Sequence, residues 1–191
     1  ELHGVRHGER GDSVAPDGEA TADRVHDPPL TDLGRWAAWR VGRRFAQADT
    51  TLEAIYASPF LRTVETADEI CRELGATVER ESGLGEYRNA EWFDREPETL
   101  PENGLRARFE TVRVGRDSHV VPAFPETRDE ASARIATTAR RLAEESSGPV
   151  LLVGHGVTVA GVVEGLIGPD AEIDAPLCGV TRLVAGVDGV W

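Results

Sequence analysis

Lysine and methionine are absent from this chain, and cysteine occurs only twice, at Cys71 and Cys178. Without lysine, all the basic charge is arginine, 21 residues against 34 acidic ones, and the net charge is -13. Such a surface repels the phosphate backbone, which excludes non-specific nucleic-acid binding. Two cysteines are too few for a disulfide framework and lack metal-type spacing. Neither has arginine six positions later, since Thr77 and Val184 stand there, so a Cys-x5-Arg phosphatase loop is excluded. No run approaches the roughly 18 apolar residues of a membrane span, and no signal peptide is visible. The expectation is a membrane-free protein of the cytoplasm. Two readings of the acidic, lysine-free composition stand side by side. One is a solubility-tuned surface from a high-GC source; the other is a halophile's protein, whose acidic surface stays hydrated while salt screens its repulsion.

The residues that are present alternate between strand and helix patterns. Leu2, His3 and Val5 open a strand that ends in the charged knot Arg6-His7-Gly8-Glu9-Arg10. Residues 11–29 read as a functional loop with a turn at Pro16-Asp17-Gly18. A helix is predicted over 32–48 behind the N-cap Thr31, with Leu33, Trp36, Ala37, Val41 and Phe45 inward. Trp39 is offset from that stripe, and a homodimer surface there is a further expectation. A strand over 54–57 runs into Ser58-Pro59, and a helix over 61–74 buries Cys71 and stops at Gly75. Residues 77–81 read as a strand. Residues 83–126 lose periodicity and are expected to be an inserted cap over the site, within a single domain covering 1–191. Thr127-x-x-Glu130 is a capping box opening a helix to about 145. Residues 150–153 read as a central parallel strand ending in Gly154-His155-Gly156, with a helix after it. Residues 181–191 read as strand with a hairpin signal at Asp188-Gly189. The predicted class is therefore a three-layer α/β/α fold with a mostly parallel sheet and helices on both faces.

Chemistry concentrates at two strand ends. A neutral His7 is a competent phosphorus nucleophile, and Arg6 and Arg10 beside it would gather phosphate charge and keep its pKa down. His155, between two glycines and before a helix N-terminus, favours an anion. Arg62 sits in the first turn of its helix, where a cation opposes the dipole unless an anion is near. If the strands carrying His7 and His155 are neighbours, both imidazoles face one pocket. His3 and His7 are four apart, but on a strand that spacing does not converge on a metal. No metal or other cofactor is expected.

These stretches resemble the histidine phosphatase superfamily, also called phosphoglycerate mutase-like. Arg6-His7-Gly8 is similar to its signature, Ser58-Pro59-x-x-Arg62-x-x-x-Thr66-Ala67 to its second motif, and Val153-Gly154-His155-Gly156 to its third. Within it, Arg6 to Asp12, Asp27-Pro28-Pro29-Leu30-Thr31-x-x-Gly34 and Gly83-Leu84-Gly85-Glu86-Tyr87 resemble the phosphatase domain of suppressors of T-cell receptor signalling and ecdysteroid-phosphate phosphatases. The resemblance implies His7 as nucleophile, Arg6, Arg10, Arg62 and His155 as the phosphate pocket, and Glu86 as general acid and base. Partial desolvation beside Leu84 and Tyr87 would raise the Glu86 carboxyl. Tyr87, Trp92 and Phe93 are the expected substrate rim. Glu65 stands where the family usually has Gln and Tyr87 where it has Trp, and both departures are expected to act on the rim. The implied activity is metal-independent hydrolysis of a small phosphorylated substrate or phosphotyrosine through a phosphohistidine. A phosphoglycerate mutase and a catalytically silent phospho-ligand-binding module are the rivals. Glu9 to Asp12, in place of the mutases' Ser-x-Trp-Asn-like stretch, weighs against the first, and the intact His7, His155, Arg6 and Arg62 set against the second.

Overall fold

The computed structural model describes residues 1–14, 24–48 and 50–191, so the turn expected at Pro16-Asp17-Gly18 lies outside the described residues. Strands β1 (Leu2–Arg6), β2 (Ala54–Ala57), β3 (Val78–Arg80), β4 (Val112–Arg113), β5 (Val150–Gly154) and β6 (Val180–Leu183) form one sheet in the order β4-β3-β2-β5-β1-β6. Every neighbouring pair is parallel except β1 and β6. The helices are α1 (Gly11–Val14), α2 (Asp32–Gln47), α3 (Leu61–Leu74), α4 (Glu102–Arg108), α5 (Arg128–Glu145) and α6 (Gly156–Leu166).

The two-residue period of the strands divides the core into two layers. On central β5, Leu151 and Val153 pack with Val5 and Ile55 against α2 and α3, together with Leu105 of α4. Val150 and Leu152 pack with Leu2 and Tyr56 against α5 and α6. Each such fully buried side chain contributes roughly 1.5–3 kcal/mol. The result is the expected three-layer α/β/α arrangement. Local signals hold as well. Thr31 caps α2 by accepting the Gly34 N–H, Thr127 and Glu130 close their capping box, and Gly75 ends α3 at φ 63°.

Three expectations need correction. Helix α2 docks through Gly34, Ala38, Val41, Gly42 and Phe45, not through Leu33 and Trp36, which are 57% and 51% exposed. Close approach decides this. A Cβ on Gly42 would lie 2.9 Å from the Glu73 Cβ and 3.1 Å from the Ile70 Cα, so the glycine face, not the bulkiest apolar face, meets α3. Trp36 instead lies under the Arg40 guanidinium, and Trp39 donates its indole N–H to Glu73. Residues 83–126 are also less irregular than they read. Glu86, Tyr87, Trp92 and Phe93 line a cavity, whereas Leu100, Leu105, Phe109 and Val112 enter the core and Val112–Arg113 forms the sheet edge. Finally, the terminal strand ends at Leu183. The Gly189 turn at φ 78° hydrogen-bonds back to Gly186 and forms no hairpin with β6.

Candidate active site

Parallel pairing of β1 with β5 sets Arg6 opposite Gly154, so the chain leaves both strands at the same sheet end. Binding at the carboxyl ends of strands is the rule for open α/β sheets. There the His7 and His155 rings meet edge to face at 5.4 Å. Both are buried, with Arg62 beside them from the first turn of α3. A cavity of about 510 Å³ opens above, bordered by Arg6, Arg10, Arg62, Glu86, Tyr87 and the α6 N-terminus at Gly156 and Val157.

The loop after β1 is held by small-residue contact with α2. A Cβ on Gly8 would lie 2.6 Å from the Gly34 carbonyl oxygen, and one on Gly34 would lie 2.4 Å from that of Glu9. Gly8 and Gly34 therefore let the two segments touch. Thr31 donates to the Glu9 carboxylate at 2.7 Å, and the Gly8 N–H donates to Thr66 Oγ1 at 3.1 Å.

His7 Nδ1 lies 2.7 Å from the Gly8 carbonyl oxygen. A carbonyl only accepts, so Nδ1 carries the proton and Nε2 keeps its lone pair. Burial, then the neighbouring His155 and Arg62, hold the His7 pKa well below the usual imidazole value, against the Gly8 bond that raises it. The ring is therefore neutral, with its Nε2 lone pair available. Burial likewise lowers His155, to about 4, despite the Glu86 carboxylate that favours its charged form.

Arg6 donates to the Ala175 carbonyl at 2.9 Å, and Arg62 donates to the His26 carbonyl and to Glu86 Oε2, both at 3.3 Å. The Nε of each is buried and has no acceptor among the described residues. Two buried cationic donors left without a partner are costly unless an anion arrives. Arg10 faces the same cavity but is paired with Asp12 at 3.0 Å.

Glu86 departs from its expected state. Burial does work to raise its carboxyl, but His155 at 3.1 Å, Arg62 and the Tyr87 N–H outweigh burial and hold it well below the usual carboxylate range. Since His155 is itself neutral at ordinary pH, it acts here as a hydrogen-bond donor, and Arg62 supplies the lasting charge. Glu86 is thus ionised. Its loop is fixed from α5, where Arg134 donates to the Gly83, Gly85 and Glu86 carbonyls while paired with buried Glu126.

Donor atoms of His7, Glu86 and His155 lie within 4.8 Å of one another, close enough to share a cation. Arg62 Nη2 already stands 3.3 Å from both Glu86 Oε2 and His155 Nδ1, so a dication would displace a permanent positive charge. His3 points elsewhere, stacking edge-on to Phe45 at 5.1 Å and lining a separate cavity of about 1170 Å³ between α2 and β6. That larger cavity holds none of the groups gathered around His7.

The rim carries Tyr87 and Trp92, edge to face at 5.7 Å, and Phe93 against His26 at 5.0 Å. Glu65 is not there. It is 1% exposed, accepting the Leu30 N–H at 2.7 Å and Arg35 at 2.8 Å, so the substitution braces the segment before α2 instead of altering the rim. Sequence reading missed several residues. His26 and Arg128 border the cavity, and buried Asp27 accepts the Leu61 N–H, its carboxyl raised by burial to about 6. The Asp27-Pro28-Pro29 stretch and the first residue after the Thr127 cap were the available signals.

The family model for the histidine phosphatase superfamily (branch 1) matches residues 2–187. A curated ecdysteroid-phosphate phosphatase of Bombyx mori is 30% identical over 149 residues, covering 74% of this chain and 22% of that protein. Its Drosophila melanogaster counterpart is 26% identical over 185 residues, covering 87% of this chain and 24% of that protein. The chain therefore spans less than a quarter of either curated relative. The crystal structure of the Bombyx mori ecdysone phosphate phosphatase in complex with tungstate superposes with a TM-score of 0.79 at 25% identity, covering 94% of this chain and 86% of that one.

Proposed function

The chain belongs to the histidine phosphatase superfamily, and we propose that it is a metal-independent phosphomonoester hydrolase working through a phosphohistidine on His7. The observation that carries this is the Nδ1 contact of His7 with the Gly8 carbonyl, which frees Nε2 next to Arg62, at a cavity bordered by Arg6 and Arg62 with their unpartnered buried Nε donors. Arg6, Arg62, the α6 N-terminus and His155 bind the phosphoryl oxygens, and Arg10 joins them by loosening from Asp12. Nε2 attacks phosphorus in line. The N–P bond forms, the ester P–O bond breaks, and the leaving oxygen takes a proton from Glu86.

Glu86 is ionised beforehand, so that proton enters with the phosphoryl group. A phosphomonoester loses its second proton only near pH 6. A bound monoanion can hand its proton to Glu86, and the phosphoryl charge raises the carboxyl pKa. In the second step Glu86 takes a proton from water as it attacks, the N–P bond breaks, and His7 is restored. Positioning and charge neutralisation supply most of the rate, with the acid and base adding about 10²- to 10⁴-fold.

The aromatic rim of Tyr87, Trp92 and Phe93 suits the ring of an aryl phosphate or phosphotyrosine. Within residues 83–126, the part near Glu86 to Phe93 serves as the cap. The -13 charge supports a saline cytoplasm as the working environment, and the exposed Trp36 and Trp39 are the surface proposed for a homodimer.

The test is p-nitrophenyl phosphate hydrolysis at moderate and multimolar salt, with and without EDTA, for wild type and His7→Ala. EDTA-insensitive turnover lost in the variant supports the reading, and turnover rising with salt supports the halophile origin. Folded wild type that binds phosphate without hydrolysing it identifies a silent binding module. Transfer between phosphoglycerate positions in place of release identifies a mutase.

A further inference from the structure

His155 faces two incompatible neighbours at Nδ1. Glu86 Oε2, 3.1 Å away, requires an N–H there, whereas Arg62 Nη2, at 3.3 Å, would donate to a lone pair. Which tautomer wins is settled on the other side of the ring, where Ser58 Oγ lies 2.9 Å from Nε2. Ser58 is fully buried, and its hydroxyl has no other hydrogen-bond partner among the described residues.

We infer that Ser58 is a positioning residue, whose hydroxyl donates to Nε2 and holds His155 as the Nδ1–H tautomer aimed at the phosphoryl oxygen. This rests on the phosphatase reading for its catalytic consequence, though not for the tautomer itself. The opposite tautomer would turn a lone pair toward the Glu86 carboxylate and the incoming anion. Both partners are braced for the task. Ser58 N–H donates to the Val153 carbonyl, its own carbonyl accepts from Thr63, and Pro59 stiffens the exit. On the histidine side, the His155 N–H donates to Thr158 Oγ1, which donates to the Leu84 carbonyl, while Phe60 packs edge-on to the ring at 5.1 Å. The backbone bond fixes where the ring starts, and Phe60, Ser58 and Glu86 hold its two edges. When the ring gains a proton, the same hydroxyl can rotate and accept, because a serine oxygen does both.

The experiment is ¹⁵N NMR of the histidine rings in wild type, Ser58→Ala and Ser58→Cys, free and with inorganic phosphate, beside p-nitrophenyl phosphate kinetics. Wild type should show His155 protonated at Nδ1. Ser58→Ala should lose that single state and lower kcat/KM about ten-fold, the scale of one oriented hydrogen bond. Ser58→Cys, with its weak S–H donor, should recover part of both. An unchanged Nδ1–H state in Ser58→Ala overturns the inference, whether or not the rate falls, because a rate loss alone marks only packing. If wild type hydrolyses nothing, the phosphatase reading fails while the tautomer result stands or falls on its own spectrum.

Discussion

At the base of the cavity, His7, Ser58, Arg62 and His155 are buried at the ends of β1, β2 and β5 or in the first turn of α3. The rim residues His26, Tyr87, Trp92 and Arg128 stand mostly on irregular segments, and Trp92 is largely exposed. The base is over-determined, because moving any one group breaks a strand register or leaves a buried donor unpaired. A rim side chain can change without touching either. Under the proposed function, reaction type belongs to the base and substrate choice to the rim.

Replacing His7 by Ala should sharpen this contrast most. Turnover should fall about 10⁴-fold or more, the scale seen when a nucleophile is removed, while the melting temperature stays near wild type. A variant that keeps turnover within about ten-fold of wild type breaks the assignment. Glu86→Gln comes next, with kcat lowered about 10²- to 10⁴-fold. Alkyl phosphates should suffer more than p-nitrophenyl phosphate, whose leaving group needs little protonation. The sign of the pH dependence follows from the two shifts. The lowered His7 pKa keeps the nucleophile neutral well below pH 6.5, so the acid limb of kcat/KM should lie below that value. Ionised Glu86 requires a proton from the substrate, so kcat/KM should decline above about pH 6. A pH profile flat to alkaline values would overturn proton entry with the phosphoryl group.

Arg134→Met tests whether the Glu86 loop belongs with the base. It strips three carbonyls of their donor and leaves Glu126 buried without its partner. The expected cost is about 3–5 kcal/mol of stability in urea unfolding. A loss below 1 kcal/mol would show the loop to be as free as the rim. Trp92→Ala should have the smallest effect, raising KM for aryl phosphates a few-fold, about 1 kcal/mol of ring contact, with kcat unchanged. A fall in kcat of similar size would erase the division between base and rim.

Local periodicity and capping made most elements readable. The β5 run, the Thr127 capping box and the Gly75 stop are short-range signals, and the structure keeps all three. The α2 face was misread because periodicity weighs apolar bulk, while packing against α3 and the His7 loop selected the glycines. The short β4 escaped notice because two residues are too few to carry a pattern.

The α/β class, the strand-end placing of His7 and His155, and the arginines that would meet an anion are legible in short stretches of the chain. Those follow from neighbours within a few residues along the chain. The ionised state of Glu86, the structural use of Glu65, the bracing by Arg134 and the contact between Ser58 and His155 arise only in the packed fold. Each depends on partners dozens of residues away in sequence. Desolvation and hydrogen bonding act through space, and they can reverse what a residue's immediate neighbours suggest.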